Sequence, residues 1–458
     1  MPSEVLAGQI PVVDGVIGGR RAATAAKITA KVQDLHTDAT IVPGALRVTE
    51  NSGVCETTPG VYQASGYGDL TSSESIFFWF FEARENAATA PLTLWFNGGP
   101  GSSSMIGLFQ EHGPCRINNA STAVTYNPYS WNNASNMLYI DQPVGVGFSY
   151  GSETVGTSQE AASDIWKFMQ IFLKDSRFSK YATAPLQIWT ESYGGHYGPT
   201  FAQYFLSQNA AIKAGSATGV NLNLKTLAIG NGLTDPITQY PGYITYAGSN
   251  PYHTLVSTST ITSANKTYTK SGGCAAQDYC NDNILSPLAG NYDVYYVPSK
   301  NPDSYPPDIT NYLASIKTKV GAASTWQETN DDVYDNFEET GDWMRTSKPD
   351  LESVINSGVR VLIFDGDADY ILNFNGVESM VNSLVTDFSS AYANTVFTPW
   401  TVNGQSAGQY RQAGTFSYLR IYGAGHEVAA YKYGKLAYGQ AALQFFEQIS
   451  AGNSLSST

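Results

Sequence analysis

Seven short runs along the chain are almost continuously hydrophobic: Ser75–Phe81, Pro91–Phe96, Asn136–Ile140, Pro185–Trp189, Leu224–Ile229, Val359–Phe364 and Tyr418–Tyr422. They show little alternation of apolar and polar positions, which is how strands covered on both faces read. Stretches of helical periodicity separate many of them: Ser158–Leu173, Thr200–Gln208, Val377–Val385 and Gly439–Ile449. Strand–helix alternation of this kind predicts an α/β fold, a central mostly parallel sheet flanked by helices. Right-handed crossovers then gather the functional loops at the carboxyl ends of the strands.

The rhythm breaks between Thr234 and Pro349. That stretch carries Asn250-Pro251, Gly272-Gly273 and four prolines from Pro298 to Pro307. It reads as an inserted lid or cap (234–349) between two parts of one core, 1–233 and 350–458. No internal repeat is evident, and the small polar tail from Ser450 is expected to fray.

The chain has 458 residues, ample for a large core. Its 25 basic and 39 acidic residues leave a net charge of −14. Nucleic acid and anionic membrane are therefore poor partners, since each needs a basic face. No apolar run approaches the 18 residues of a membrane span. The start, Met1–Arg21, lacks the basic-then-apolar form of a secretory signal. The four cysteines and three sequons (Asn119, Asn133, Asn265) nevertheless favour a secreted or vacuolar protein, with Met1 standing in place of a removed signal. Whether Met1–Thr40 is a pro-segment stays open. Four cysteines allow three pairings; closeness in sequence favours Cys274 with Cys280, which leaves Cys55 with Cys115.

The chemistry concentrates on Thr190-Glu191-Ser192-Tyr193-Gly194, between an apolar run and a helix-like stretch. A serine on such a turn has the form of a nucleophile elbow, Gly-x-Ser-x-Gly, with Thr190 in place of the first glycine. A serine hydroxyl needs a neutral imidazole to take its proton and a carboxylate to orient that imidazole. Of five histidines, His426 is best placed, in a glycine-rich loop after the last core strand. His196 is too near Ser192, His36 sits in an N-terminal helix, His253 lies in the insertion, and His112 could line the pocket. Asp365, Asp367 and Asp369 all follow the strand Val359–Phe364, and by order alone any could serve. The turn Asn97-Gly98-Gly99-Pro100-Gly101 can aim backbone N–H groups at a developing oxyanion. No cluster with metal-ligand spacing occurs, so neither metal nor cofactor is implied.

The segments Leu94–Gly101, Tyr139–Tyr150, Glu191–Gly195, Gly366–Asp369 and Gly423–His426 together resemble the serine carboxypeptidase family, in family order and across most of the chain. The resemblance implies an α/β-hydrolase fold and a fungal secreted or vacuolar type of enzyme. Such an enzyme releases the C-terminal amino acid from peptides and proteins with a free C-terminus, through an acyl-enzyme, in acid. It implies a triad of Ser192, Asp369 and His426. It puts the oxyanion hole at the N–H groups of Gly99 and Tyr193. It assigns Asn97, Glu111 and Glu191, supported by Trp95, to the substrate carboxylate.

Four positions depart from the family pattern. Ser102 stands where many members have a cysteine, Thr329 where fungal members have its partner, and Leu372 where a further cysteine is frequent. Glu427 replaces an apolar residue or Thr; it could favour basic leaving residues, raise the pKa of His426, or point to solvent. The alternative chemistry on this frame is acyl transfer to an alcohol or amine, and hydroxynitrile lyases share it too. Neither has a peptide carboxylate to bind, so Asn97, Glu111 and Glu191 together favour the peptidase. A binding protein without activity would be expected to have a broken triad. Oligomeric state and side-chain preference are not legible.

Overall fold

A computed structural model describes residues 41–270 and 277–458, together with the short paired strands Val12–Val13 and Val16–Ile17. The readings placed on Met1–Thr40 as a whole, on His36 and on Cys274 lie outside the described residues.

Eleven strands form one continuous sheet: β1 (Leu46–Glu50), β2 (Gln63–Asp69), β3 (Glu74–Phe81), β4 (Leu92–Phe96), β5 (Asn136–Ile140), β6 (Leu186–Glu191), β7 (Leu224–Gly230), β8 (Arg360–Gly366), β9 (Thr398–Val402), β10 (Gln405–Ala413) and β11 (Phe416–Ile421). Their order is β9-β10-β11-β8-β7-β6-β4-β5-β3-β2-β1, and the two-residue strand Tyr150–Gly151 pairs with β3. The inner six, β11 to β5, pair in parallel throughout. The strands outside them pair antiparallel. The parallel heart is the part read from the hydrophobic runs, and its strands are almost wholly buried.

β1, β2, β9 and β10 carry no apolar run that marks a strand, since charged, polar, proline or glycine residues interrupt each. In β2, Gly66 has φ +151°, and a Cβ there would lie 1.9 Å from the Arg47 carbonyl oxygen. The glycine that hides β2 from a hydrophobic scan is what lets it lie flush on β1.

Two apolar layers cover the sheet. One face packs helices Ser158–Lys174, Gly194–Lys213, Lys348–Asn356 and Phe374–Asn382. The other packs helix Gln440–Ser450 over Trp95, Trp131 and Trp189. Helix Gly194–Lys213 starts six residues before the expected Thr200, directly behind Ser192. Between β7 and β8, the described residues carry short helices and no strand of the main sheet.

Cys55 and Cys115 are disulfide-bonded with Cα atoms 5.0 Å apart. Cys280 is also disulfide-bonded. The tail does not fray as expected. Leu455 is buried, the Thr458 N–H donates to the Thr401 carbonyl oxygen at 2.9 Å, and Gly404 N–H donates to that of Thr458 at 2.7 Å. Small polar residues can be ordered when a sheet edge offers them backbone partners.

Candidate active site

The adjacent parallel strands β4 and β6 end side by side, with Trp95 opposite Trp189 and Phe96 opposite Thr190. The loop after β4 therefore lies against the elbow after β6. Ser192 has φ +63°, a left-handed conformation costly for a residue with a side chain. Surrounding bonds hold it there. Its N–H donates to the Gly230 carbonyl at 3.0 Å, and its own carbonyl accepts from Gly195 and Leu233 N–H at 2.9 Å each. A Cβ on Gly98 would fall 2.4 Å from the Tyr193 nitrogen, so the two backbones touch. Thr190, where the motif has glycine, donates its hydroxyl to the Gly194 carbonyl at 2.9 Å and so helps close the turn.

Asp369 and His426 leave the carboxyl ends of β8 and β11, which pair in parallel. His426 Nδ1 lies 2.8 Å from Asp369 Oδ2, and both side chains are buried. The other Asp369 oxygen accepts from Ile371 N–H at 2.9 Å. Burial pushes the Asp369 carboxyl up from its usual value, opposed by the attraction of His426. The neighbouring aspartates are engaged elsewhere: Asp365 accepts from the Tyr418 hydroxyl at 2.9 Å, and Asp367 from Gly423 N–H at 2.8 Å. His426 is steadied by its N–H bond to the Tyr295 carbonyl at 2.9 Å. Its Nε2 is buried with no hydrogen-bond partner. With Nδ1–H given to Asp369, Nε2 holds the lone pair that a general base needs. Gly99, at φ +104°, lines one pocket with Ser192 and Tyr193.

Beside the elbow, Asn97 sits between two acids. Trp95 Nε1–H donates to Asn97 Oδ1 at 2.7 Å and Gly107 N–H does so at 3.0 Å. Those two donors fix which way the amide faces. Its Nδ2 then points at Glu191 Oε1 (3.1 Å) and Glu111 Oε1 (3.4 Å). Glu111 ends the one-turn π-helix Gly107–Glu111 and is fully buried. Burial pushes its carboxyl up to about 7, opposed by hydrogen bonds with Glu191 and Asn97. The Arg116 guanidinium clamps the region from behind, donating to the backbone carbonyls of Glu111 and Ala429 at 2.6 Å each.

His112 does not line the pocket. It stacks on Trp131 at 3.9 Å and packs edge-on to Trp95 at 4.1 Å. Burial holds it well below its usual value. His196 is buried behind the elbow, and His253 packs on Tyr292 in the insertion. Glu427 does not point to solvent. It is buried with both carboxyl oxygens unpartnered, and burial, then the neighbouring Glu111, pushes it well above its usual value. Ser102 and Thr329 face each other across an isolated bridge, their hydroxyls 3.3 Å apart. Leu372 lines the pocket beside Ser192. Of the sequons, Asn119 and Asn265 are exposed, while Asn133 is half-buried with its amide bonded to Arg84 and Pro128.

Sequence reading missed the backbone N–H of Gly107, the carbonyl of Tyr295 and the side chain of Asp342, which bonds the Tyr193 hydroxyl at 2.7 Å. None lies in a motif that the chain order exposes.

The serine carboxypeptidase family profile matches residues 53–448. Carboxypeptidase S1 of Penicillium janthinellum is 42% identical over 89% of this chain and 100% of its own length. Carboxypeptidase Y of Komagataella phaffii is 36% identical over 83% of this chain and 75% of its own length. Among solved structures, a prohormone-processing carboxypeptidase from Saccharomyces cerevisiae superposes with a TM-score of 0.69, covering 88% of this chain and 91% of that one. At 23% identity that likeness speaks to the fold.

Proposed function

The chain belongs to the serine carboxypeptidase family and is a serine-type carboxypeptidase, and from that premise we propose which of its residues carry the reaction. Ser192 is the nucleophile. Its Oγ attacks the carbonyl carbon of the last peptide bond and its proton passes to His426 Nε2, with Asp369 holding the imidazole in the required tautomer. The N–H groups of Gly99 and Tyr193 stabilise the oxyanion. The His426 imidazolium then protonates the departing amine, the C–N bond breaks, and the C-terminal amino acid leaves. Water, deprotonated by the same imidazole, cleaves the acyl-enzyme and frees Ser192. No residue among those described forms a cluster fit to hold a metal ion, and none of these steps requires one.

The observation that carries this reading is the amide of Asn97 aimed at two buried acids beside the elbow. Two carboxylates would repel a third. Protons shared among Glu111, Glu191 and the substrate carboxylate turn that repulsion into short hydrogen bonds. The site therefore selects peptides with a free C-terminus and works in acid. The acyl side of the scissile bond faces a wall of Leu233, Tyr243, Leu285, Trp343 and Ile371 beside Ser192. The segment 234–349 acts as the lid supplying much of that wall. The cysteine pairing Cys274–Cys280 and glycosylation at the exposed sequons fit a secreted or vacuolar enzyme. No helix among the described residues is long and apolar enough to cross a membrane.

Hydrolysis of an N-blocked dipeptide with a free C-terminus, run beside its C-terminal amide with Ser192→Ala as control, tests the reading. Release of the last residue from the free acid alone, lost in the variant, is the expected result. Acylation of Ser192 without such release, with transfer to an added alcohol, would move the activity to acyl transfer and remove the roles of Glu111 and Glu191.

A further inference from the structure

Tyr193 supplies one of the two N–H groups facing the oxyanion, so whatever fixes Tyr193 fixes half of that site. Its ring is enclosed by His196, stacked at 4.6 Å with an interplanar angle of 6°, and by Trp343 at 4.8 Å and Phe337 at 5.7 Å. The last two belong to the insertion. Its hydroxyl reaches the insertion as well, donating to Asp342 Oδ2 at 2.7 Å. The same oxygen accepts from the Ser158 hydroxyl at 2.6 Å and from Ser158 N–H at 3.1 Å. Ser158 opens the helix Ser158–Lys174, whose N-terminal N–H groups favour a negative neighbour. Asp342 Oδ1 is paired with Arg345 at 3.5 Å. One buried carboxylate thus joins the lid, the start of a core helix and the residue after the nucleophile.

We propose that Asp342 is a positioning residue for the oxyanion hole, through which the lid sets the place of the Tyr193 N–H. This rests on the reading of that N–H as an oxyanion donor. The logic is geometric. Tyr193 is anchored at its backbone by the elbow and at the far end of its ring by Asp342, so the ring acts as a strut between lid and elbow. A donor must sit within a few tenths of an ångström of where charge develops, and losing one outright costs about 10²–10³ in kcat. Releasing the strut costs part of that, about tenfold, and falls on kcat because the ground-state carbonyl uses the donor weakly.

The test uses Tyr193→Phe, which keeps the ring and removes only the hydroxyl, together with Asp342→Asn and the double variant. Each is assayed on an N-blocked acyl ester of a C-terminal hydroxy acid and on its thiono analogue, whose sulfur accepts hydrogen bonds poorly. The expected result is a strong oxo preference in the unaltered enzyme. In each single variant kcat for the oxo ester falls about tenfold, KM stays within twofold, and the oxo-to-thiono ratio narrows. The double variant is no worse than either single one, because both remove the same strut. Folded Tyr193→Phe with full kcat and an unchanged ratio overturns the proposal, as does a loss confined to KM. A missing oxo preference in the unaltered enzyme instead strikes the oxyanion assignment, and the proposal falls with it.

Discussion

The proposed proton sharing at Glu111 and Glu191 sets how binding should depend on pH. Glu111 is fully buried, its carboxyl is pushed up to about 7, and Asn97 and Glu191 are its hydrogen-bond partners. Suppose a peptide carboxylate binds only while the pair holds its proton. The competent fraction is then nearly complete at about pH 5, one half at about pH 7 and about one tenth at about pH 8. KM for a free-acid dipeptide should therefore be flat below about pH 6 and about tenfold higher by pH 8, with the slope approaching one decade per pH unit. The C-terminal amide of the same dipeptide has no carboxylate, so its KM should be high and level. Glu111→Gln replaces the titrating donor with an amide that donates at every pH. It should flatten the KM profile and raise KM in acid, where the shared proton gives a stronger bond than an amide.

The assay is steady-state hydrolysis across that pH range, with kcat and KM separated. A KM for the free acid that is constant from about pH 5 to pH 8 would refute the shared-proton argument. So would an equal rise for the amide, since that would locate the titration away from the carboxylate.

Three further outcomes follow from the geometry. Burial raises the carboxyls of Asp141 and Asp293 to about 6, and it raises those of Asp365, Asp367 and Glu427 as well. Their folded values exceed their unfolded ones, so stability is intact below about pH 4 and is lost as pH climbs through about 6, on the order of 3 kcal/mol for each of the first two. Tm from calorimetry should fall from about pH 5 to pH 8, and a Tm that rises would contradict these assignments. Joining Ser102 and Thr329 as S102C/T329C, where hydroxyls already sit 3.3 Å apart, should form a bridge under oxidising conditions. It should add about 2–4 kcal/mol, reversed by reductant; free thiols by mass spectrometry would show that the backbones are not apposed as described. Glu427→Gln should lower kcat/KM for a C-terminal lysine or arginine about 10- to 100-fold while sparing leucine, because a cationic side chain is the partner that both bare carboxyl oxygens lack. An unchanged lysine-to-leucine ratio would show that Glu427 does not read the leaving side chain.

How much of this could be read beforehand depended on how local the information was. The inner strands were legible because burial on both faces writes a nearly continuous apolar run, and β4, β6, β7 and β8 carry one each. Ser192 and His426 were legible because glycines follow those runs where the backbone must turn sharply. The choice of Asp369 over Asp365 and Asp367 was not legible from order. All three leave one strand, and what separates them is the reach of the Tyr418 hydroxyl to one and of the Gly423 N–H to another. Glu111 lies on a one-turn π-helix too short to show a helical period, and only the resemblance to a family singled it out. Asp342 had no signal at all, since 149 residues separate it from the Tyr193 hydroxyl it holds. The elements that perform the chemistry are thus encoded next to the strands that end at them. Phe337, Asp342 and Trp343, which hold the Tyr193 ring, come from the segment between β7 and β8, through contacts that exist only once the parallel sheet has brought β6 and that segment together. On the proposed role of Asp342, a substitution in that segment alters the rate at Ser192 without touching any motif by which the enzyme is recognised.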